Sequence, residues 1–365
     1  MTQVALSQLA ALDEELETRI AALRHWVAMR AADTDAEPGA DEHTSAPELL
    51  AQAARLGLFT ADQPGSGAVA SAQILHQLGA ECMSSAFSFW AHRMVLEYLS
   101  HADPQATTLQ QLRSALQQGA KIGSTAFAAA LQEAAGLGEL AVRGQYDGDS
   151  LVISGVLPWA SNLTENTEIA IPVLIPETHQ RVVVVVSAAT AGIQIRGINN
   201  LMALSNTASG TVKIDQVAVS ADRVLNTDLA SFLPGTKPVL LTLQAAFSLG
   251  LSDRCLSEAE ELLVVRGGVM NTEVAQARDD YRQLWQQTQA AAAAVGALGG
   301  GELLRLRLGA AQLAVHSAQL EHILRGGVGY VRSNATNRRL REALFLPVQS
   351  PSEVQLRQEL QALES

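Results

Sequence analysis

The feature that most constrains the fold is a residue pattern that changes twice along the chain. Residues 121–226 are rich in Val, Ile, Thr and Gly, in short apolar runs that end at turn residues. On both sides of this segment, apolar residues recur at intervals of three and four, which is the period of an amphipathic helix. The sequence therefore predicts the order α, β, α, and it contains no internal repeat.

These two changes divide the 365 residues into three predicted domains, at 1–120, 121–228 and 229–365. The first helix is predicted over residues 5–30, where leucine, isoleucine and valine form one stripe. An acidic linker, "ADTDAEPGADEHTS", follows it. Ser45 with Glu48 three residues later predicts a capping box at the start of the next helix.

The middle segment has the signals of strands and tight turns. Asp147-Gly148 stands before the alternating run "SLVISG", which predicts a β-hairpin. The runs "TEIAIPVLI", "RVVVVVSA", "GIQIRGI" and "ASGTVKIDQVAV" predict further strands. Together they predict an antiparallel β domain. Helical spacing returns from about residue 236, and one predicted face carries Leu240, Leu243, Phe247 and Leu251.

Composition limits the functional classes. Hydrophobic residues make up 48% and charged residues 17% of the chain, against roughly 25% charged in ordinary domains. This balance favours a large core or extensive subunit contacts. The net charge of −12 disfavours nucleic acid and anionic membranes as partners. Only Cys82 and Cys255 occur, which predicts neither a disulfide framework nor a metal site. With no signal peptide and no obvious membrane segment, we expect a cytoplasmic protein.

Four segments, in the order of the chain, resemble motifs of one enzyme family. "LQEAAGLGEL" is similar to a loop of the type TEPGAGSD, and "YDGDSLVISGVLPWASN" is similar to DGDEYVINGxKxWITN. "LSNTASGTVKIDQVAVSADRVL" resembles a stretch ending in VxVPxxxxL. "ILRGGVGYVRSNATNRRLREA" resembles a QxxGGxGY turn followed by an RxxRDA helix. In this order, the motifs resemble the acyl-CoA dehydrogenase family over nearly the whole chain.

The resemblance implies a fold and a class of chemistry. The fold would be an α+β multidomain architecture, with an N-terminal helical domain, a middle antiparallel β-barrel domain and a C-terminal four-helix bundle. The function would be that of a flavin-dependent oxidoreductase acting on a small molecule, with acyl thioesters as one candidate class. The cofactor would be FAD, with FMN or a reduced flavin as alternatives. The helical bundle would form a homodimer or tetramer.

The resemblance also assigns the residues that would contact the flavin. Trp159 would pack along the ring system, and Ser161 would offer its hydroxyl and amide near N5. Their spacing of two places both side chains on one face of a strand. Gln132 and Glu133 would meet the pyrimidine edge through main-chain groups of a flexible loop, and Arg266 would reach the cofactor phosphates. The alternatives are a core aromatic for Trp159, a turn former for Ser161 and a helix cap for Arg266.

The base that desaturases in this family require is missing from the sequence. The family carries its glutamate in a loop where alignment on "PSE" places Gln349, and alignment on "REA" places Pro351. No acidic residue lies between Glu342 and Glu353, nor between Asp228 and Asp253, where the family has a second location. A glutamine has no titratable proton acceptor of useful basicity. Ordinary α,β-desaturation of an acyl-CoA is therefore not expected.

Two other functions are also compatible with the sequence. Monooxygenases of the same fold use reduced flavin and oxygen and need no such glutamate. His92, on an apolar helix, is the candidate for proton transfer in that case, although a histidine in such a place is more often a hydrogen-bonded core residue. The other alternative is a non-catalytic scaffold that binds a ligand or a partner, which would also explain the departures from the family motifs.

Overall fold

The computed structural model describes residues 12–32, 46–62, 67–296 and 298–364. Helices precede and follow one block of strands, so the predicted order α, β, α is confirmed. The helices are α1 Glu14–Ala28, α2 Ala46–Arg55, α3 Val69–Glu81, α4 Met83–Ser100, α5 Thr107–Gln117, α6 Ala128–Ala134, α7 Leu229–Val265, α8 Asn271–Ala293, α9 Gly300–Arg325, α10 Ala335–Ala343 and α11 Glu353–Glu364. The strands are β1 Ile122–Thr125, β2 Val142–Asp147, β3 Ser150–Ala160, β4 Thr167–Ile175, β5 Gln180–Ser187, β6 Ile193–Gly197, β7 Gly210–Ser220 and β8 Val224–Asn226.

The N-terminal helix matches its prediction where it can be compared. In α1, Asp13 is the N-cap and accepts a hydrogen bond from the Leu16 amide at 2.7 Å. The predicted stripe is buried at Leu16, Ile20, Leu23 and Val27. The first residues of the predicted helix, residues 33–45 of the linker and the Ser45 capping box lie outside the described residues.

The eight strands form one sheet in the order β6-β7-β3-β2-β4-β5-β8, with β1 paired to β4. The Asp147-Gly148 signal is confirmed, because β2 and β3 pair as a hairpin in which Asp147 lies opposite Ser150. The sheet differs from the purely antiparallel prediction at two places. β1 runs parallel to β4, and β2 is parallel to β4 at one residue pair. A crossover through α6 separates β1 from β2, so these strands are not joined by a hairpin turn.

The C-terminal helices form the predicted bundle. Helices α7, α8 and α9 contact one another, α10 packs against α7 and α9, and α11 packs against α9. α3 of the N-terminal domain also packs on α7, at a contact that two glycines make possible. A Cβ atom on Gly79 would lie 2.3 Å from the carbonyl oxygen of Phe247, and one on Gly250 would lie 2.0 Å from that of His76. The two helical domains are therefore joined by close backbone packing.

α7 is the central helix of the molecule. Its predicted face of Leu240, Leu243, Phe247 and Leu251 is buried. This 37-residue helix is also long and apolar enough to cross a membrane, whereas no obvious membrane segment was expected from the sequence. Within its most apolar window, 89% of the residues are buried inside the protein. The apolar character of α7 is thus explained by its position in the core.

Candidate functional site

Trp159 lies at the C-terminal end of β3, where the strand pairing is irregular. Leu157 and Ala160 are buried, whereas Pro158 and Trp159 between them are exposed. A register shift against β7 between Leu157 and Ala160 marks a β-bulge, which breaks the alternation of the strand and re-aims side chains. Ser161 lies one residue beyond the end of β3, so the placement of its side chain on the same face as Trp159 stays a prediction. The outcome is a large indole that is 58% exposed on the rim of the sheet.

Ser161 follows directly after the strand and belongs to a chain of hydroxyl groups. Its Oγ lies 2.7 Å from Ser209 Oγ, which lies 2.7 Å from Thr207 Oγ1. Thr207 Oγ1 in turn donates to the Leu204 carbonyl at 2.8 Å. Sequence reasoning missed Ser209 and Thr207, because they reach Ser161 from the loop between β6 and β7. The same loop is tied to α10, where Arg341 Nη1 donates to the Met202 carbonyl at 2.9 Å.

Asn162 fixes the end of β3 to the helical domain. Its Nδ2 donates to the carbonyl of Ser88 on α4 at 2.9 Å and to that of Gly123 on β1 at 3.1 Å. It adopts a left-handed backbone conformation with φ 60°, which asparagine tolerates better than most residues. Its buried Oδ1 and the buried Ser88 Oγ have no hydrogen-bond partner in the described part of the chain. Buried polar atoms of this kind require a water or a ligand group.

The predicted flexible loop at Gln132 and Glu133 is wrong, because both residues lie in the last turn of α6. The Gln132 carbonyl accepts from the amide of Leu137 at 2.9 Å, which closes the end of that helix. The Glu133 carboxylate forms a two-point ion pair with Arg181 of β5, at 2.7 and 3.2 Å. Both groups are therefore engaged within the protein. The Ala-rich run "AAALQEA" therefore forms a helix where the motif predicts a loop, and a main-chain contact of Gln132 and Glu133 with the flavin stays a prediction.

Arg266 ends α7 and contacts the end of a neighbouring helix. Its Nε donates to the Leu324 carbonyl at 3.1 Å, and Nη2 donates to the Arg325 carbonyl at 3.4 Å. These carbonyls belong to the last turn of α9, where such groups lack partners within the helix. Arg266 thus caps α9, and binding of cofactor phosphates by this residue stays a prediction.

His92 is fully buried in α4 and uses both of its ring nitrogens. The amide of Gly123 donates to Nδ1 at 3.0 Å, and Nε2 lies 3.2 Å from the Leu116 carbonyl. A carbonyl only accepts, so the proton resides on Nε2. Burial lowers the pKa of His92 to about 3, and the ring packs on Phe59 with centroids 4.2 Å apart. This geometry gives His92 a packing role and speaks against the predicted proton transfer.

Gln349 is buried beside a guanidinium group that has no carboxylate partner in the described part of the chain. Arg307 of α9 is fully buried, and its Nε donates to Gln244 at 2.8 Å. Its Nη2 donates to the Leu346 carbonyl at 3.0 Å and lies 3.4 Å from Gln349 Oε1. Arg307 Nη1 and Gln349 Nε2 have no partner among the described residues. Burial lowers the pKa of Arg307 to about 10.

The carboxylates closest in sequence to Gln349 are paired with arginines. Glu342 is buried and lies 3.1 Å from Arg338. Glu353 lies 2.7 Å from Arg357 and also accepts from Gln312 at 3.0 Å. Both carboxylates are therefore engaged by side chains of the protein.

The rim at Trp159 and Ser161 matches the requirements of a flavin ring system. Such a ring needs an apolar or aromatic wall and polar groups at its hydrogen-bonding edge. The exposed indole supplies an aromatic wall, and the hydroxyl of Ser161, two residues further along the chain, supplies a polar group. The residues present therefore fit the group that the sequence motifs imply.

Comparison with known proteins gives the fold and leaves the activity open. No family model and no curated protein matches the chain. Butyryl-CoA dehydrogenase from Megasphaera elsdenii is similar in structure, with a TM-score of 0.78, 15% identity, and coverage of 97% of this chain and 99% of that one. An FAD-dependent dehydrogenase is similar with a TM-score of 0.80 and 16% identity, and the match covers 96% of this chain and 97% of that one. A nitrososynthase from Micromonospora carbonacea var. africana is similar with a TM-score of 0.78 and 19% identity, and the match covers 98% of each chain. The chain therefore has the acyl-CoA dehydrogenase fold, as its motifs predicted.

Proposed function

We propose that this protein is a flavin-dependent oxidoreductase whose flavin ring lies against Trp159, with its polar edge at Ser161. The observation that carries the proposal is an exposed indole beside an ordered hydroxyl on the rim of the sheet. An exposed indole presents an aromatic face on which a flavin ring can stack. We name FAD as the cofactor, because an FAD-dependent dehydrogenase is among the similar structures. When bound, the flavin supplies hydride or single-electron transfer.

The reaction we propose is not the α,β-desaturation of an acyl-CoA. That reaction needs a carboxylate of raised pKa close to the substrate. The chain offers Gln349 near the expected position, and the neighbouring Glu342 and Glu353 are engaged by arginines. The oxygen-using branch of the fold does not need this base, so we favour a monooxygenase over a desaturase. The substrate would be a small molecule, with acyl thioesters among the compounds to be screened.

We also propose that the protein works as a homo-oligomer in the cytoplasm. The turn after α7 and the turn after α9 are neighbours, because Arg266 joins them through the Leu324 and Arg325 carbonyls. Seven large apolar side chains around these turns are 54–85% exposed: Val264, Val265, Val269, Ile323, Val328, Tyr330 and Val331. An apolar surface of this kind usually marks a protein contact, and we assign it to a second copy. Both cysteines are buried and neither forms a disulfide, which suits a reducing compartment.

The test is anaerobic titration of the purified protein with FAD and FMN, each in the oxidised and the reduced form. We expect saturable binding of at least one flavin. Trp159→Ala should raise its Kd about tenfold, since loss of an aromatic packing partner costs roughly 1–1.5 kcal/mol. Because the side chain is 58% exposed, the substitution should leave thermal stability unchanged.

The matched control is Tyr146→Ala, which removes another exposed aromatic side chain from strand β2. Its Kd for flavin should equal that of the wild type. A colourless protein that binds neither FAD nor FMN in either redox state would contradict the proposal and support the non-catalytic scaffold. Equal weakening by both substitutions would show binding without the proposed site.

A further inference from the structure

The hydroxyl chain that ends at Ser161 has only one possible order of hydrogens. Successive oxygens of Thr207, Ser209 and Ser161 lie 2.7 Å apart, and Thr207 Oγ1 lies 2.8 Å from the Leu204 carbonyl. Two oxygen atoms approach this closely only when a hydrogen lies between them. Each hydroxyl contributes one hydrogen, and a carbonyl contributes none. The three hydrogens must therefore fill the three contacts.

The carbonyl end fixes the direction of the whole chain. The contact with the Leu204 carbonyl can be filled only by the hydrogen of Thr207. The contact between Thr207 and Ser209 must then take the hydrogen of Ser209. By the same argument, the hydrogen of Ser161 goes to Ser209. Ser161 is left with lone pairs only, so it can accept a hydrogen bond from a ligand and cannot donate one.

The backbone around the chain holds this arrangement in place. Leu204 and Ala208 have φ angles of 63° and 46°, a left-handed conformation that is rare for residues other than glycine. Such strained residues persist when the surrounding structure determines them. The Thr207 and Ala208 carbonyls also accept from the amides of Asn162 at 2.7 Å and Leu163 at 3.0 Å. The loop is thus clamped to the same strand end that carries Ser161.

We propose that this hydroxyl chain makes the site selective for the reduced form of the flavin. The inference rests on the proposed flavin site and on the chemistry of N5. In reduced flavin N5 carries a hydrogen and can donate it to Ser161. In oxidised flavin N5 carries a lone pair instead, and this lone pair would face the lone pairs of the Ser161 oxygen. Ser209 and Thr207 are positioning residues, because they keep the Ser161 hydrogen in the hydrogen bond to Ser209. A protein of this kind would take up reduced flavin from a separate flavin-reducing reaction.

The test compares the Kd values of oxidised and dithionite-reduced FAD by anaerobic calorimetry on the full-length protein. Ser209→Ala removes the acceptor of the Ser161 hydrogen, so Ser161 becomes able to donate to oxidised N5. We expect the ratio of the oxidised to the reduced Kd to fall about tenfold, which corresponds to about 1.4 kcal/mol. The midpoint potential of the bound flavin should fall by about 30 mV, which is the same change for a two-electron couple.

Thr207→Val is the second variant, because it keeps the shape of the side chain and removes the hydroxyl that fixes the direction. It should lower the ratio of the oxidised to the reduced Kd by a smaller factor than Ser209→Ala. If Ser209→Ala does not fold, Thr207→Val alone tests the proposed selectivity. The control is Ser154→Ala on the same strand, where the Ser154 hydroxyl accepts from Gln216 at 2.8 and 3.0 Å. This control should leave the ratio unchanged.

The possible failures are distinguishable. If wild type and variants bind both flavins with one constant ratio, the selectivity is wrong and the flavin site stands. If the ratio in Ser209→Ala moves towards reduced flavin, the deduced direction of the hydrogens is wrong. If the wild type binds neither form, the proposed function fails, and this inference fails with it.

Discussion

Replacement of Gln349 by glutamate would be the obvious attempt to create a desaturase, and we predict that it stabilises the protein without creating a base. The introduced carboxylate would lie near Arg307, whose Nη2 is 3.4 Å from Gln349 Oε1 and which has no carboxylate among its hydrogen-bond partners. At that distance the attraction between unit charges is about 5 kcal/mol for an effective dielectric constant of about 20. Desolvation of the carboxylate takes back several kcal/mol.

The cost of burying the Arg307 charge is already present in the wild type, so only the new carboxylate adds a desolvation cost. We therefore expect a net gain of about 1–3 kcal/mol in the free energy of unfolding at pH 7 for Gln349→Glu. That gain corresponds to a rise of roughly 1–4 °C in Tm. The guanidinium group holds the pKa of the new carboxyl below its usual value of about 4.3. The gain is thus complete above that pH and is lost as the pH falls below it.

The assays are thermal unfolding between pH 3 and pH 8, and anaerobic bleaching of bound flavin by an acyl-CoA. Bleaching should stay as slow as in the wild type, because a carboxylate paired with arginine is a poor base. Gln145→Glu, at an exposed position on β2, makes the same chemical change and should alter stability by less than about 0.5 kcal/mol. Rapid bleaching, or a lower Tm at pH 7, would refute this account of the Arg307 environment.

Three further predictions concern stability and assembly. His92→Gln should flatten the pH dependence of stability. Burial lowers the folded pKa of His92 from 6.5 to about 3, so in the wild type the unfolded chain takes up the proton first, and the free energy of unfolding falls by about 2 kcal/mol from pH 7 to pH 5. If urea unfolding of the variant shows the same dependence on pH as the wild type, this prediction is contradicted. Gly250→Ala should cost at least about 3 kcal/mol, since its Cβ would lie 2.0 Å from the His76 carbonyl oxygen, whereas Gly300→Ala, with open space around it, should cost less than about 1 kcal/mol. Val265→Asp should shift sedimentation towards the monomer, and a wild-type protein that is already monomeric would contradict the proposed contact.

The sequence predicted the parts of the fold that depend on local patterns. The apolar spacing gave α7 its buried face, and Asp147-Gly148 gave the β2–β3 hairpin, because turn geometry and helical period are encoded within a few residues. The pairing of β1 with β4 is different. It joins Ile122 to Thr167, which lie 45 positions apart in the chain, and no local pattern specifies which strand an edge residue will meet.

The candidate site was predicted in outline, and its details depend on contacts between distant residues. Trp159 was found from its motif, but the bulge that exposes it comes from a register shift against β7. Ser209 and Thr207 lie 48 and 46 positions from Ser161, so their hydroxyls could be joined to it only after folding. The pairing of Glu133 with Arg181 likewise joins residues 48 positions apart, which the motif alone could not predict.

The most direct test of the flavin site is a crystal structure of the protein soaked anaerobically with reduced FAD. The account predicts density for a tricyclic ring packed on the exposed face of Trp159, with N5 at hydrogen-bond distance from Ser161 Oγ. A fully occupied flavin bound elsewhere on the chain, or a Trp159 face covered by protein and closed to the ring, would contradict it.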